Sequence, residues 1–102
     1  MSVMQFTTPT FTLTFSEQSL DLTQATNVYV TFHYQGGTLT KTGSALTVSA
    51  KQIEVFLSQE ETGKMIGNVE IQTNWTMADG ARAASMISTV TVDRNLLKKV
   101  VE

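Results

Sequence analysis

Residues 69–77 alternate between core-type and polar side chains along their whole length. Val69, Ile71, Thr73, Trp75 and Met77 occupy the odd positions, and four polar side chains occupy the even ones. A period of two is typical of a strand with one face in the core and the other in solvent. Asp79-Gly80 then supplies turn residues before a second β-rich run at residues 84–92. The pattern predicts a hairpin.

Similar alternation recurs along the chain. Residues 10–15 alternate threonine with Phe or Leu directly after Pro9, which suits the start of a strand. Gln35-Gly36-Gly37 reads as a turn, and the short strand after it is expected at a sheet edge. Strands are predicted at residues 10–15, 27–34, 38–41, 46–48, 52–58, 69–77 and 84–92.

About seven strands separated by turn signals predict an all-β fold, an Ig-like antiparallel β-sandwich with Trp75 and the inward Phe residues between the sheets. Ser58 and Glu61 have the spacing of a capping box, so one helical turn is expected at residues 59–62. A short amphipathic helix is predicted at residues 95–102. The chain of 102 residues is expected to form a single domain, residues 1–102.

Composition narrows the classes of function. The formal net charge is −2 and the basic residues form no stripe, so no nucleic-acid partner is expected. The chain has no Cys, which excludes disulfides and thiol catalysis. It has no apolar run of about 20 residues, the length that spans a bilayer, and no secretory signal, so a soluble protein made in the cytosol is expected.

Catalytic chemistry finds little support in the residue pattern. His33, the only histidine, has no acidic residue near it in the sequence and is expected to be a surface side chain. Adjacent Glu60 and Glu61 diverge on a helical turn, so they are expected to cap and flank that turn rather than act as an acid/base pair. We therefore predict no enzyme activity, no metal site and no cofactor.

The candidates for contact with another protein are Tyr29, His33, Phe56, Leu96, Leu97 and Val100. Tyr29 and Phe56 fall on the strand faces opposite the main apolar sets, where they either form a partner surface or are buried beneath the connection at residues 16–26 or the C-terminal helix. Leu96, Leu97 and Val100 belong to the apolar stripe of that helix, which is too short to be stable alone and must dock on something.

Three segments carry a family resemblance: residues 21–32, residues 57–62 (LSQEET) and residues 69–75 with Asp79-Gly80. They resemble small phage and prophage proteins of Gram-positive bacteria that are encoded among tail and baseplate genes. They are also similar to the N-terminal domain of the phage baseplate upper protein family, in which an L-T-x-A entry leads into a strand and an LSQEET segment separates two later strands.

The resemblance implies a non-enzymatic structural or assembly module of the virion, in the tail or baseplate. Such a module is made in the bacterial host cytoplasm, and its partners are other virion proteins or further copies of itself. An alternative is a carbohydrate- or ligand-binding β-sandwich, in which Tyr29 and His33 form one strip along their strand. An enzyme is the third hypothesis and lacks a matched nucleophile and base.

Overall fold

The computed structural model describes residues 2–15, 20–85 and 87–96. In this part of the chain it contains nine strands, one α-helix and two short 3-10 helices. The strands are β1 (Ser2–Met4), β2 (Thr10–Thr14), β3 (Ala25–Tyr34), β4 (Gly37–Thr42), β5 (Leu46–Val48), β6 (Gln52–Phe56), β7 (Gly67–Met77), β8 (Arg82–Ala84) and β9 (Ser88–Asp93). The helix α1 is Gln59–Gly63, and the 3-10 helices are Leu22–Gln24 and Gly43–Ala45.

The strands form two sheets. Sheet A has the order β1-β9-β7-β3-β4, with β8 also paired to β7, and sheet B has the order β2-β6-β5. The chain changes sheet after β1, β2, β4 and β6. This connectivity is that of an Ig-like sandwich, in which β2, β6 and β5 occupy the places of strands B, E and D, and β3, β7 and β9 those of C, F and G. The predicted all-β, Ig-like class is confirmed.

Two details of the predicted class need correction. The described residues contain two strands more than the seven predicted, because β1 and β8 have three residues each and carry too little alternation to recognise. In addition, β1 pairs with β9 in parallel, with Val3 beside Val92, so sheet A is not wholly antiparallel.

The second arm of the predicted hairpin is interrupted. Asn74 pairs with Ala84 whereas Ile71 pairs with Ser88, so the register with β7 shifts by one residue along this arm. Ser85 occupies the break, where its N–H donates to the Thr73 carbonyl (2.8 Å) and its hydroxyl accepts from the Thr73 N–H (3.0 Å). A shift of register of this kind is a β-bulge, and it divides the predicted strand into β8 and β9.

The core lies between the sheets, on the faces that the alternation predicts. Aromatic pairs join the two layers: the ring centroids of Phe11 and Phe32 are 5.9 Å apart, and those of Phe15 and Trp75 are 5.8 Å apart in an edge-to-face arrangement. Such geometry contributes about 0.5–1.5 kcal/mol per pair beyond the burial of area. The buried apolar residues are Phe11, Leu22, Val28, Val30, Phe32, Leu46, Ile53, Val55, Leu57, Met65, Val69, Ile71, Trp75, Val90 and Val92.

The chain passes from one sheet to the other between β1 and β2 and again between β6 and β7. These two segments meet at the end of the sandwich where α1 lies, and buried side chains join them. Thr62 is fully buried, and its hydroxyl donates to the Thr7 carbonyl (2.8 Å) and accepts from the Thr7 N–H (3.1 Å). The Gln5 amide donates to the carbonyls of Gly63 (3.2 Å) and Met65 (2.9 Å). Backbone groups that leave a ladder inside a protein need partners, and these two side chains supply them.

Close packing of Phe6 on Gly63 completes this end of the sandwich. Phe6 has a φ of 58°, in the left-handed region that is rare for bulky residues. Its ring lies so near Gly63 that a Cβ at that position would come within 3 Å of three ring carbons. The close approach therefore requires glycine at position 63.

Helix α1 begins with the predicted capping box. The Ser58 hydroxyl accepts from the Glu61 N–H (3.2 Å), and the Glu61 carboxylate accepts from the Ser58 N–H (2.8 Å). The same carboxylate forms an ion pair with Lys41 of β4, with an N–O distance of 2.7 Å. Burial acts to raise the pKa of Glu61, but the bonds from Lys41 and Ser58 outweigh it and hold that pKa below its usual value.

The predicted C-terminal helix falls mostly outside the described residues, and Leu97 and Val100 lie there with it. Asp93 and Asn95, the two residues with side chains suited to cap that helix, do not begin a helix in the described part. Asp93 belongs to β9, and the Asn95 side-chain amide donates to the Gln5 carbonyl (3.0 Å). Leu96 follows with 86% of its surface exposed.

Gly63→Ala is expected to destabilise the protein by about 1–3 kcal/mol, the usual effect of overpacking. Alanine favours helix over glycine, so a loss of stability separates the clash with Phe6 from helix propensity. Chemical denaturation measures the difference, and Gly36→Ala is the control because a Cβ there meets only ordinary contacts. Equal stability of Gly63→Ala and the unchanged protein would contradict the packing of Phe6.

Glu61→Gln is expected to lower the free energy of unfolding by about 1 kcal/mol at neutral pH, since glutamine keeps the capping box but not the ion pair. A carboxyl whose folded pKa is depressed stabilises the fold above its unfolded pKa, near 4.5, and loses that contribution as the pH falls through the folded value. The difference between variant and unchanged protein should therefore shrink below pH 4.5. Urea unfolding from pH 7 to pH 3 measures it, with the exposed neighbour Glu60→Gln as control. A difference independent of pH would contradict the ion pair.

Candidate interaction surface

Nine outward side chains of β3, β4 and β7 form one part of the outer surface of sheet A, which we call the threonine face. It follows from alternation, because residues two apart on a strand share a face. Its members are Tyr29, Thr31 and His33 of β3, Thr38, Thr40 and Thr42 of β4, and Glu70, Gln72 and Asn74 of β7.

Three cross-strand rows order the threonine face. Pairing of the strands aligns Thr42, Tyr29 and Asn74 in one row, Thr40, Thr31 and Gln72 in the next, and Thr38, His33 and Glu70 in the third. With His counted as neutral, Glu70 is the one formally charged side chain among these nine. It lies in the last of the three rows. The middle of the surface is therefore uncharged.

Hydrogen bonds hold the hydroxyls of β4 against β3. Thr38 Oγ1 is 3.2 Å from His33 Nδ1, Thr40 Oγ1 is 3.3 Å from Thr31 Oγ1, and Thr42 Oγ1 donates to the Val28 carbonyl at 2.8 Å. Side chains that already have partners lose little rotamer freedom when another surface covers them. The row of threonines is thus preorganised for contact.

Tyr29 is exposed at 37%, in agreement with its predicted outward position. Phe56 is also outward, at 50%, but it lies on the outer side of sheet B, in register with Thr10. Packed sheets lie about 10 Å apart, so the two aromatics occupy opposite surfaces of the sandwich and cannot share one contact. Both are exposed rather than buried beneath a connection.

The outer side of sheet B is less suited to contact than the threonine face. Glu54 lies at its centre, in register with Thr12 on one side and Thr47 on the other. Covering a carboxylate without a basic partner costs several kcal/mol. A partner on this side would need a matching positive charge at its centre, whereas the one carboxylate of the threonine face, Glu70, lies at an end of that surface.

His33 is exposed, as predicted, but the fold gives it a neighbour that the sequence did not reveal. Glu70 of β7 lies directly opposite it in register. In the described part of the chain the two form no hydrogen bond or ion pair, and the imidazole contacts the Thr38 hydroxyl. They line a shallow depression of about 650 Å³ together with Tyr34, Asn68 and Thr89.

Sequence reasoning found Tyr29 and His33 of the threonine face and missed the threonines of β4. It treated residues 38–41 only as a short strand at an edge. The available signal was the alternation of threonine with Leu39 and Lys41 directly after a tight turn, which fixes the face of each residue. The other candidates, Phe56 and Leu96, do not belong to this surface.

Comparison of the chain with protein-family models, with curated proteins and with solved structures finds no match. Among the described residues, no three His, Asp or Glu side chains are grouped closely enough to hold a metal ion. No helix in the same residues has the length and apolar character needed to cross a membrane.

Proposed function

We propose that the protein is a non-enzymatic structural or assembly module of a phage or prophage particle, in the tail or baseplate, that acts through protein–protein contacts. The observation that carries this proposal is the threonine face, with Tyr29 exposed on a largely uncharged sheet surface. The resemblance of residues 21–32, 57–62 and 69–75 to phage tail and baseplate proteins supports the choice of particle. The protein is then made in the bacterial cytoplasm and incorporated into the virion.

The properties of the threonine face favour a protein partner. A tyrosine buries a large rigid area at low entropic cost and keeps a hydroxyl for hydrogen bonding, which explains its enrichment at interfaces. Its neighbours Thr31 and Thr42 are short and β-branched, so they are stiff and leave the ring accessible. Neither a nucleic acid nor a membrane is a proposed partner, since the face offers no basic side chain and little apolar area.

Ligand binding is the second candidate, favoured by the depression beside His33 and Glu70. A sugar site needs an aromatic platform next to polar groups. Tyr29 is four residues from His33 on β3, or about 13 Å along a strand, so its ring and the depression do not converge. Tyr34, which lines the depression, is the aromatic that a glycan array should probe with a Tyr34→Ala variant.

Tyr29→Asp is expected to weaken binding to the cognate virion protein at least about tenfold, as for a central interface aromatic. The candidate partners are the products of the neighbouring genes, each purified and tested by biolayer interferometry. Phe56→Asp is the matched control, because it introduces the same charge at an exposed aromatic on the opposite side.

Two results would contradict the proposal. One is that none of the neighbouring genes encodes a tail, baseplate, holin or lysin protein. The other is that a binding partner is found and Tyr29→Asp binds it as tightly as the unchanged protein, while Phe56→Asp does not.

A further inference from the structure

Strand β4 forms one edge of sheet A, and its unpaired backbone groups belong to threonines. Gln35 and Gly36 form the turn, so the flanking Tyr34 and Gly37 are a hydrogen-bonded pair. Such pairs alternate along an antiparallel ladder. Leu39 and Lys41 therefore direct their N–H and C=O groups toward β3. The N–H groups of Thr38, Thr40 and Thr42 point away from the sheet.

In the part of the chain that the structure describes, this edge has one of the features by which sheets usually prevent pairing with another chain, an inward-pointing charge, and that charge already has a partner. Proteins protect edges with Pro, with charged side chains, including inward-pointing ones, with bulges or with a covering element. Strand β4 has neither Pro nor an outward charge, and its register with β3 is regular from Tyr29 to Tyr34. Its one charge, Lys41, points inward and is paired with Glu61.

The sequence of β4 is complementary to itself in antiparallel pairing. A two-fold axis through Thr40 places the two Thr40 residues opposite each other, where they exchange a pair of backbone hydrogen bonds. Each Thr38 then faces Thr42 of the second copy, and each Leu39 faces Lys41. No like charges oppose each other, and cross-strand threonine pairs are favourable in sheets.

We propose that two copies of this chain associate through antiparallel pairing of their β4 edges, with the two-fold axis at Thr40. Sheet A then continues from one copy into the other, and the two threonine faces join in one surface. This inference deepens the proposed function. It rests on that function in one respect, because it treats the contact as a step of particle assembly. A two-fold contact is closed, so it yields dimers rather than filaments.

The first measurement is the mass of the purified full chain by light scattering and sedimentation equilibrium, up to about 1 mM, where even a millimolar dimer is populated. A mass that rises toward twice that of the monomer is expected. A strict monomer over this range would overturn the proposal.

Charge variants at the axis test the geometry. Thr40→Lys and Thr40→Glu each place like charges opposite each other, so each is expected to raise the dissociation constant at least about tenfold at low salt. Mixing the two variants should restore the dimer as a mixed species, which native mass spectrometry resolves. No other register of β4 against β4 brings residue 40 opposite itself, so failure of the mixture to associate would contradict the axis.

The edge of sheet B supplies a matched control. The Leu57 N–H donates to the Pro9 carbonyl (3.0 Å), and the Phe15 N–H donates to the Lys51 carbonyl (2.8 Å). The odd-numbered residues of β2 are therefore the ones that bond to β6, and the backbone groups of Thr12 point away from the sheet, like those of Thr40. Thr12→Lys and Thr12→Glu should leave the dimer unchanged. Loss of the dimer in these variants, with the Thr40 variants still dimeric, would assign the contact to β2 and overturn the proposal.

Two further observations separate failure of the dimer from failure of the proposed function. Circular dichroism and thermal melting show whether the Thr40 variants fold. If they do not, Thr40→Pro replaces them, because it removes an outward N–H that the dimer needs and no backbone bond to β3. Tyr29→Asp should remain dimeric, because its side chain is on β3, which β4 separates from the axis. A monomeric protein that still binds a virion partner through Tyr29 would refute the dimer and leave the proposed function standing.

Discussion

The fold depends on satisfying backbone groups where the chain passes from one sheet to the other. At the end occupied by α1 the chain makes two such passages, and Thr62 and Gln5 bond the main chain of both. Without these bonds several peptide groups would be buried unpaired, at about 1–3 kcal/mol each. The network joins the segment between β1 and β2 to the segment between β6 and β7, beside the parallel pairing of β1 with β9.

The same geometry decides which residues face solvent and which offer free hydrogen-bonding groups. Along a strand, side-chain direction and backbone direction both alternate with a period of two. On β4 the two alternations coincide, so the threonines that form the outer surface also carry the unpaired N–H groups. A single pattern of Thr at every second position therefore places threonines on an outer face and at an open edge at once. The two proposed contacts, through face and through edge, are geometrically independent and can coexist.

The sequence predicted well wherever one strong pattern decided the outcome. The alternation in residues 69–77 identified the buried face of β7, and the spacing of Ser58 and Glu61 identified the cap of α1. Elements of three residues, such as β1, hold too little pattern, and the break at Ser85 depends on its bonds to Thr73. The placement of Glu70 opposite His33 required the register between β3 and β7. Register is a tertiary property, because the core face of each strand constrains it only to steps of two.

Lys41 links the interior network to the open edge. An inward-pointing charge on an edge strand ordinarily discourages pairing, because a second strand would enclose that charge. In this protein Glu61 neutralises it, and the same carboxylate caps α1 and so belongs to the end of the sandwich where the sheets are joined. Pairing of β4 with its copy then encloses an ion pair rather than an isolated ammonium, which costs far less. The readiness of the edge to accept a partner thus depends on the correct assembly of the opposite layer.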